Sequence, residues 1–136
     1  MYRDFEKFKA SPKFNTANYN LGHAAELALL GTLREFFADP ELALSAEGHL
    51  FDYESPTRLV ELKTRTVRRL QYLDTAIGAN KIRYARCSTK TVAFVFQFIN
   101  GLFYWKYDSA EVLRAGPLLG VPHFFIPTAA LIRIGD

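Results

Sequence analysis

Apolar and polar positions alternate most cleanly over residues 59–64. Val60 and Leu62 fall on one side of an extended chain and Glu61 and Lys63 on the other, the period of a half-buried strand. Residues 49–53 predict a partner strand and residues 41–47 another before it, with Gly48 permitting the tight connection between them. Ser55-Pro56 supplies the turn into the third strand. An even number of loop residues then puts Asp52 on the same face as Glu61, either directly opposite it or one diagonal step away.

A helical period runs from a cap at Asn20 to residue 38, where Asp39-Pro40 stops it. Glu26 shares one face of this helix with Gly22, Leu30, Leu33 and Phe37, whereas Ala24, Ala28, Gly31 and Glu35 lie opposite. A carboxylate within an apolar stripe is costly unless it is paired or bound to a metal. It either leans out to solvent or onto a core arginine, or it enters a site. His23 lies one turn before it and is a minor candidate ligand; His49 and His123 are weaker ones.

Ahead of this helix, residues 1–19 predict a short helix and a loop that pack on the rest. Residues 65–72 lack a period and suit a mobile basic loop. Asp74-Thr75 reads as a cap for a helix over 76–86. Residues 91–98, almost wholly apolar, predict a strand covered on both faces. Asn100-Gly101 turns it into a return strand over 102–107. A short helix over 109–115 capped by Asp108 and stopped by Gly116, a strand over 123–126 and a last turn capped by Thr128 complete the order. The fold class is α/β (α+β): an α-β-β-β-α-β core with a mixed central sheet and a C-terminal hairpin extension.

At 136 residues and 49% hydrophobic composition, the chain suits a single domain with a real core. The net charge of +3 does not announce a nucleic-acid binder, but its distribution is uneven. Arg65, Arg68, Arg69, Lys81, Arg83, Arg86 and Lys90 all fall in one stretch, against a single acid, Asp74. Cys87, the only cysteine, excludes an internal disulfide and a cysteine-cluster zinc site. The charged start and the lack of a long apolar run predict a soluble intracellular protein, of cytoplasm or nucleus, with no membrane partner.

Asp52 and Glu61 on one face would repel, and each would raise the other's pKa. A divalent cation relieves that repulsion, and Mg²⁺ favours one or two carboxylates with water and phosphate completing its shell. Lys63 stands where it could stabilise charge developing on a phosphate oxygen. The chemistry these groups suggest is phosphodiester hydrolysis.

Asp52, a short gap and then Glu61-Leu62-Lys63 at the end of an apolar strand resemble the signature of the PD-(D/E)xK nuclease superfamily, with Phe51 where proline often stands. The resemblance covers roughly residues 20–98 and implies a restriction-endonuclease-like core. Lys63-Thr64-Arg65 and Gly78-Ala79-Asn80-Lys81 add a looser likeness to small stand-alone viral or phage members. It implies a Mg²⁺- or Mn²⁺-dependent deoxyribonuclease that leaves 5′-phosphates, an endonuclease of replication, recombination or repair. Asp52, Glu61 and the carbonyl of Leu62 would hold the metal, and Glu26, the acid such proteins often carry on the first helix, would join them. Lys63 would assist the attacking water and Lys81 would meet a phosphate near the scissile bond.

On that reading DNA is the partner, held through its backbone by Arg65, Arg68, Arg69, Lys81, Arg83 and Arg86 without reading of sequence. Cutting both strands would take a homodimer or two successive nicks. Two other readings stay open: a catalytically silent nucleic-acid-binding module on the same fold, and an ordinary α/β domain whose Glu61 and Lys63 form a surface pair.

Overall fold

The computed structural model describes residues 16–46 and 48–135. Residues 1–15, where most of the leading helix and loop is expected, and Glu47 lie outside them. The first helix, α1 (Thr16–Phe36), starts earlier than expected, so Asn20 falls inside it rather than at its cap. Its end is sharp. Ala38 takes a left-handed φ of 52° and the Asp39 N–H returns to the Arg34 carbonyl at 2.9 Å, after which Pro40 prevents continuation.

Nine strands follow: β1 (Ala43–Leu44), β2 (Tyr53–Glu54), β3 (Arg58–Thr64), β4 (Asp74–Gly78), β5 (Thr91–Phe98), β6 (Gly101–Lys106), β7 (Arg114–Leu118), β8 (Val121–Pro127) and β9 (Ile132–Arg133). The second helix, α2 (Ala79–Cys87), sits between β4 and β5. The class is α+β with a mixed sheet, ordered β1-β2-β3-β5-β6-β9. Within it β3 and β5 run parallel while β1-β2-β3 and β5-β6-β9 are antiparallel. A parallel pair needs a crossover, which β4 and α2 provide.

After α1 come three strands, the unforeseen strand β4, a helix and a strand, so the order departs from the expected α-β-β-β-α-β core at β4. Residues 76–78 are strand rather than the first turn of a helix, because Thr75 and Ile77 alternate inward and pair with Ile126 and Phe124 of β8. This strand belongs to a separate three-stranded sheet, β4-β8-β7. The expected helix over 109–115 does not form. Asp108 caps only a turn, accepting the Ala110 N–H at 2.9 Å, and the chain runs extended into β7, since Val112 points to solvent and offers no apolar face. Pro117 is tolerated because β7 is an edge strand. The first two strands of the core are also shorter than expected, two residues each.

The main sheet is covered on both faces, which explains the apolar run in β5. Val60, Leu62, Ala93 and Val95 pack with Leu33 and Tyr53 beneath α1. Leu59, Phe94 and Phe96 pack on the other side with Ile82 of α2 and with Ile77 and Ile126 of the small sheet. Full burial of a side chain such as Leu33 or Phe94 is worth roughly 1.5–3 kcal/mol. Among the described residues no helix is long and apolar enough to cross a membrane.

Candidate active site

The hairpin of β2 and β3 carries three of the candidate residues, Glu61, Leu62 and Lys63, with Asp52 just before it. Tyr53 pairs with Val60 and Glu54 with Leu59, and the turn is closed by the Ser55 N–H on the Arg58 carbonyl at 2.9 Å. Four residues, 55–58, therefore separate the paired positions, the even count that the sequence requires. The Asp52 N–H donates to the carbonyl of Val60 at 3.0 Å, the residue already paired with Tyr53, so the ladder slips there. The next inward donor on β3, the Leu62 N–H, is taken instead by the Asp52 carboxyl, Oδ2, at 2.7 Å.

That slip places the Asp52 carboxyl at the open end of the hairpin, close to Glu61 and Glu26. Burial, followed by the charges of Glu61 and Glu26 and a carboxyl-to-carboxyl hydrogen bond with Glu26, pushes the Asp52 pKa up to about 9, against the pull of the Leu62 N–H. A residue's N–H and C=O leave a strand on the same edge, so the Leu62 carbonyl also faces the side where Asp52 lies.

Glu61 is treated differently. Its side chain is 3% exposed, and Oε2 is met by Lys63 Nζ at 3.1 Å and Lys81 Nζ at 3.0 Å. Burial alone would raise its pKa, but the two ammonium groups outweigh burial and hold its carboxyl below the ordinary range. Oε1 is buried without a hydrogen-bond partner. Lys81 reaches the site from α2, where Ala79, Ile82 and Ala85 turn inward, and it also donates to the Leu50 carbonyl. The phenyl ring of Phe51 lies 5.5 Å from its ammonium.

Glu26 stands at the border of the apolar stripe of α1 rather than in its middle: Ala25, Leu29, Leu30 and Leu33 are the residues that pack on the sheet. His23 Nδ1 lies 3.7 Å from Glu26 Oε1. His49 serves the backbone, accepting the Phe51 N–H on Nδ1 at 3.2 Å, with Nε2 3.6 Å from Glu54 Oε1. His123, on β8, turns Nδ1 to the Val121 carbonyl at 2.7 Å.

The basic residues do not share one face. Arg65 turns inward, with Nε 3.0 Å from Thr75 Oγ1 and Nη2 2.6 Å from the Ala76 carbonyl, and burial lowers its pKa despite Glu61. Arg69 lies over Phe103 and donates to the Leu131 carbonyl at 3.2 Å. Arg68 is exposed, as are Arg83 and Arg86 on α2. The loop expected to be mobile is tied along the β5–β6 turn, with the Arg69 N–H on Asn100 Oδ1 at 2.9 Å and the Ile99 N–H on the Val67 carbonyl at 3.0 Å.

Two positioning residues escaped the sequence reading. Tyr53, wholly buried, donates its phenol to the Glu26 carbonyl and so locks α1 to the hairpin. Burial, then the charges of Glu26 and Asp52, drive its pKa well above the ordinary value and keep it a donor. Asp39 fixes the other end of α1, its Oδ2 accepting from Ser55 Oγ at 2.6 Å and Arg58 Nη1 at 3.1 Å. The signal for Tyr53 was its place on the buried face of a strand, where a phenol needs a partner.

Among the described residues no group of three or more His, Cys, Asp or Glu side chains is drawn together as a metal-holding set. Glu61 instead turns onto Lys63 and Lys81. Comparison with protein-family models finds no match, and neither curated proteins nor solved structures show a significant similarity to the chain.

Proposed function

We propose that the chain is a Mg²⁺- or Mn²⁺-dependent nuclease that hydrolyses DNA phosphodiester bonds on a restriction-endonuclease-like core of the PD-(D/E)xK kind. The observation that carries this reading is the buried Glu61 carboxylate, held by Lys63 and Lys81 through one oxygen while the other has no partner. A buried acceptor left unsatisfied costs about 1–3 kcal/mol or more, and a hard cation beside it removes that cost. The donor types fit. Asp52, Glu61, the Leu62 carbonyl and Glu26 are all oxygen donors at one end of one hairpin. A divalent cation bound there supplies Lewis-acid stabilisation of charge on the phosphoryl oxygens and a more acidic water.

The chain's own groups do the rest. Lys63, on the rim of the cluster, is placed to orient a water toward phosphorus. Lys81 supplies a second ammonium to a non-bridging oxygen, where negative charge grows as the bond to the leaving 3′-oxygen lengthens. Asp52 and Glu26 would offer further carboxylate oxygens beside Glu61. Tyr53 and Asp39 keep α1 and the hairpin in fixed relation, so that Glu26 stays within reach. DNA is the proposed partner, and a homodimer would let one site serve each strand.

A catalytically silent nucleic-acid-binding module is favoured by one specific observation, that the acids are not gathered as a metal-holding set. The two readings separate when wild type and Lys63→Ala are incubated with duplex, single-stranded and four-way-junction DNA, each with Mn²⁺ and with chelator. Cleavage by wild type alone, and with metal alone, supports the nuclease. Binding that survives Glu61→Ala, with no cleavage by wild type under any divalent ion, supports the module.

A further inference from the structure

Beside Lys63 the surface opens into a cleft of about 510 Å³ between the loop after β3 and the small sheet. Its charged lining is mostly basic: Arg68 is exposed, Lys63, Arg65 and Arg69 border it while also holding Glu61, Thr75 and Leu131, and the one carboxylate there, Asp74, is paired with Arg114 at 2.7 Å. Its apolar lining includes aromatic rings, Tyr72, Phe98 and Phe125. The volume lies in the range of sites that enclose one small ligand, roughly 300–1,000 Å³. One or two nucleotide units fit such a cleft, and a duplex can only lie across its mouth.

The rim settles which kind of strand suits it. Two residues of the cleft are apolar and exposed, Tyr72 at 60% and Leu118, at the end of β7, at 44%. A duplex presents phosphates and sugars to a protein that does not enter its grooves, and such a surface calls for a charged rim. An unpaired strand presents base faces as well, which stack on aromatic and apolar side chains while cations follow the backbone. Basic floor and apolar rim together match the second.

We infer that this cleft binds an unpaired strand of nucleic acid, with Tyr72 as a stacking platform, and so feeds single-stranded or frayed DNA to Glu61 and Lys63. The inference rests on the nuclease reading for its substrate class and adds the strand state. Wild type and Tyr72→Ala are titrated in chelator, by fluorescence anisotropy, with end-labelled single-stranded DNA, blunt duplex and a duplex with a splayed end, all at one salt concentration. Sedimentation velocity of the same samples reports self-association.

The expected result is binding of the single-stranded and splayed probes at least tenfold tighter than blunt duplex. Tyr72→Ala should remove most of that preference, about tenfold in Kd for one lost base contact. Equal affinity for the blunt duplex, or an unchanged preference in Tyr72→Ala, overturns the inference. So does self-association through the apolar rim that excludes DNA. Cleavage with Mn²⁺, measured separately, distinguishes the failures. Metal-dependent cutting without strand preference sinks only the cleft, whereas strand-selective binding without cutting sinks only the nuclease.

Discussion

The two ends of one hairpin each bury a carboxylate beside cations, and they do so to different purposes. At the turn, Asp39 meets Ser55 Oγ and the Arg58 guanidinium, and its own oxygens are not left buried without a partner, although Arg58 Nε is. The same guanidinium lies 4.7 Å from the ring of Phe37, so the pair is packed as well as bonded. At the open end, Glu61 faces two flexible ammonium groups on one oxygen and nothing on the other. Arginine's planar fork suits a fixed structural pair, whereas lysine's mobile point charge suits a site whose contacts must change when substrate arrives. The turn end is built to hold, and the open end is built to exchange partners.

The sharpest break of this contrast is Lys63→Ala. On the proposed nuclease reading, loss of one ammonium beside Glu61 should lower kcat/KM for DNA cleavage by about 10³-fold with Mn²⁺, while the urea midpoint moves little. If stability falls as much as activity, the open end is structural after all. At the turn end the expectation reverses. Asp39→Ala leaves Arg58 and Ser55 without their acceptor and should cost about 3 kcal/mol or more in urea unfolding. Cleavage per folded molecule should change far less than in Lys63→Ala.

The open end was legible in sequence, for a local reason, whereas the Asp39 pair at the turn was not. The alternation over 59–64 and the turn at Ser55-Pro56 put Asp52, Glu61 and Lys63 at one end of a hairpin without any long-range information. Glu26 could be found because a lone acid beside an apolar stripe is anomalous. The small sheet could not. Its strands β4 and β8 pair residues 74–78 with 123–127, a contact that no local period encodes, and it turned a predicted helix start into a strand. Arg65 shows the same limit. One of the basic residues in a run looked like a DNA contact, yet it is spent on Thr75 and Ala76 of that unforeseen sheet.

The open end also has a pH signature. The Asp52 pKa rises from 3.8 in the ordinary state to about 9 in the fold. Between those values the native protein holds a proton that the unfolded chain has released, so stability falls as pH rises through this window and levels off above it. The slope can reach about 1.4 kcal/mol per pH unit. Glu61, with a lowered pKa, acts only on the acid side, adding stability above its ordinary value of 4.5 that is lost as pH falls. In chelator, urea midpoints of wild type should therefore decline from pH 5 to pH 8. Asp52→Asn, which cannot ionise, should flatten that decline; an equally steep slope in the variant would place its origin elsewhere.

The smallest expected effect tests the joint between the two ends. Tyr53 donates to the Glu26 carbonyl, an oxygen that in an α-helix also receives the N–H four residues on, from Leu30. Removing the phenol therefore leaves no orphaned acceptor, and Tyr53→Phe should cost only about 0.5–1 kcal/mol in urea unfolding, the net worth of one hydrogen bond. Its functional mark should be specific nonetheless. With α1 less firmly tied to the hairpin, Glu26 is less well placed. The Mn²⁺ concentration needed for half-maximal cleavage should then rise a few-fold while the rate at saturating metal holds. A variant that loses rate at saturating Mn²⁺ but keeps the metal requirement would move Tyr53 from holding Glu26 to a direct part in the reaction.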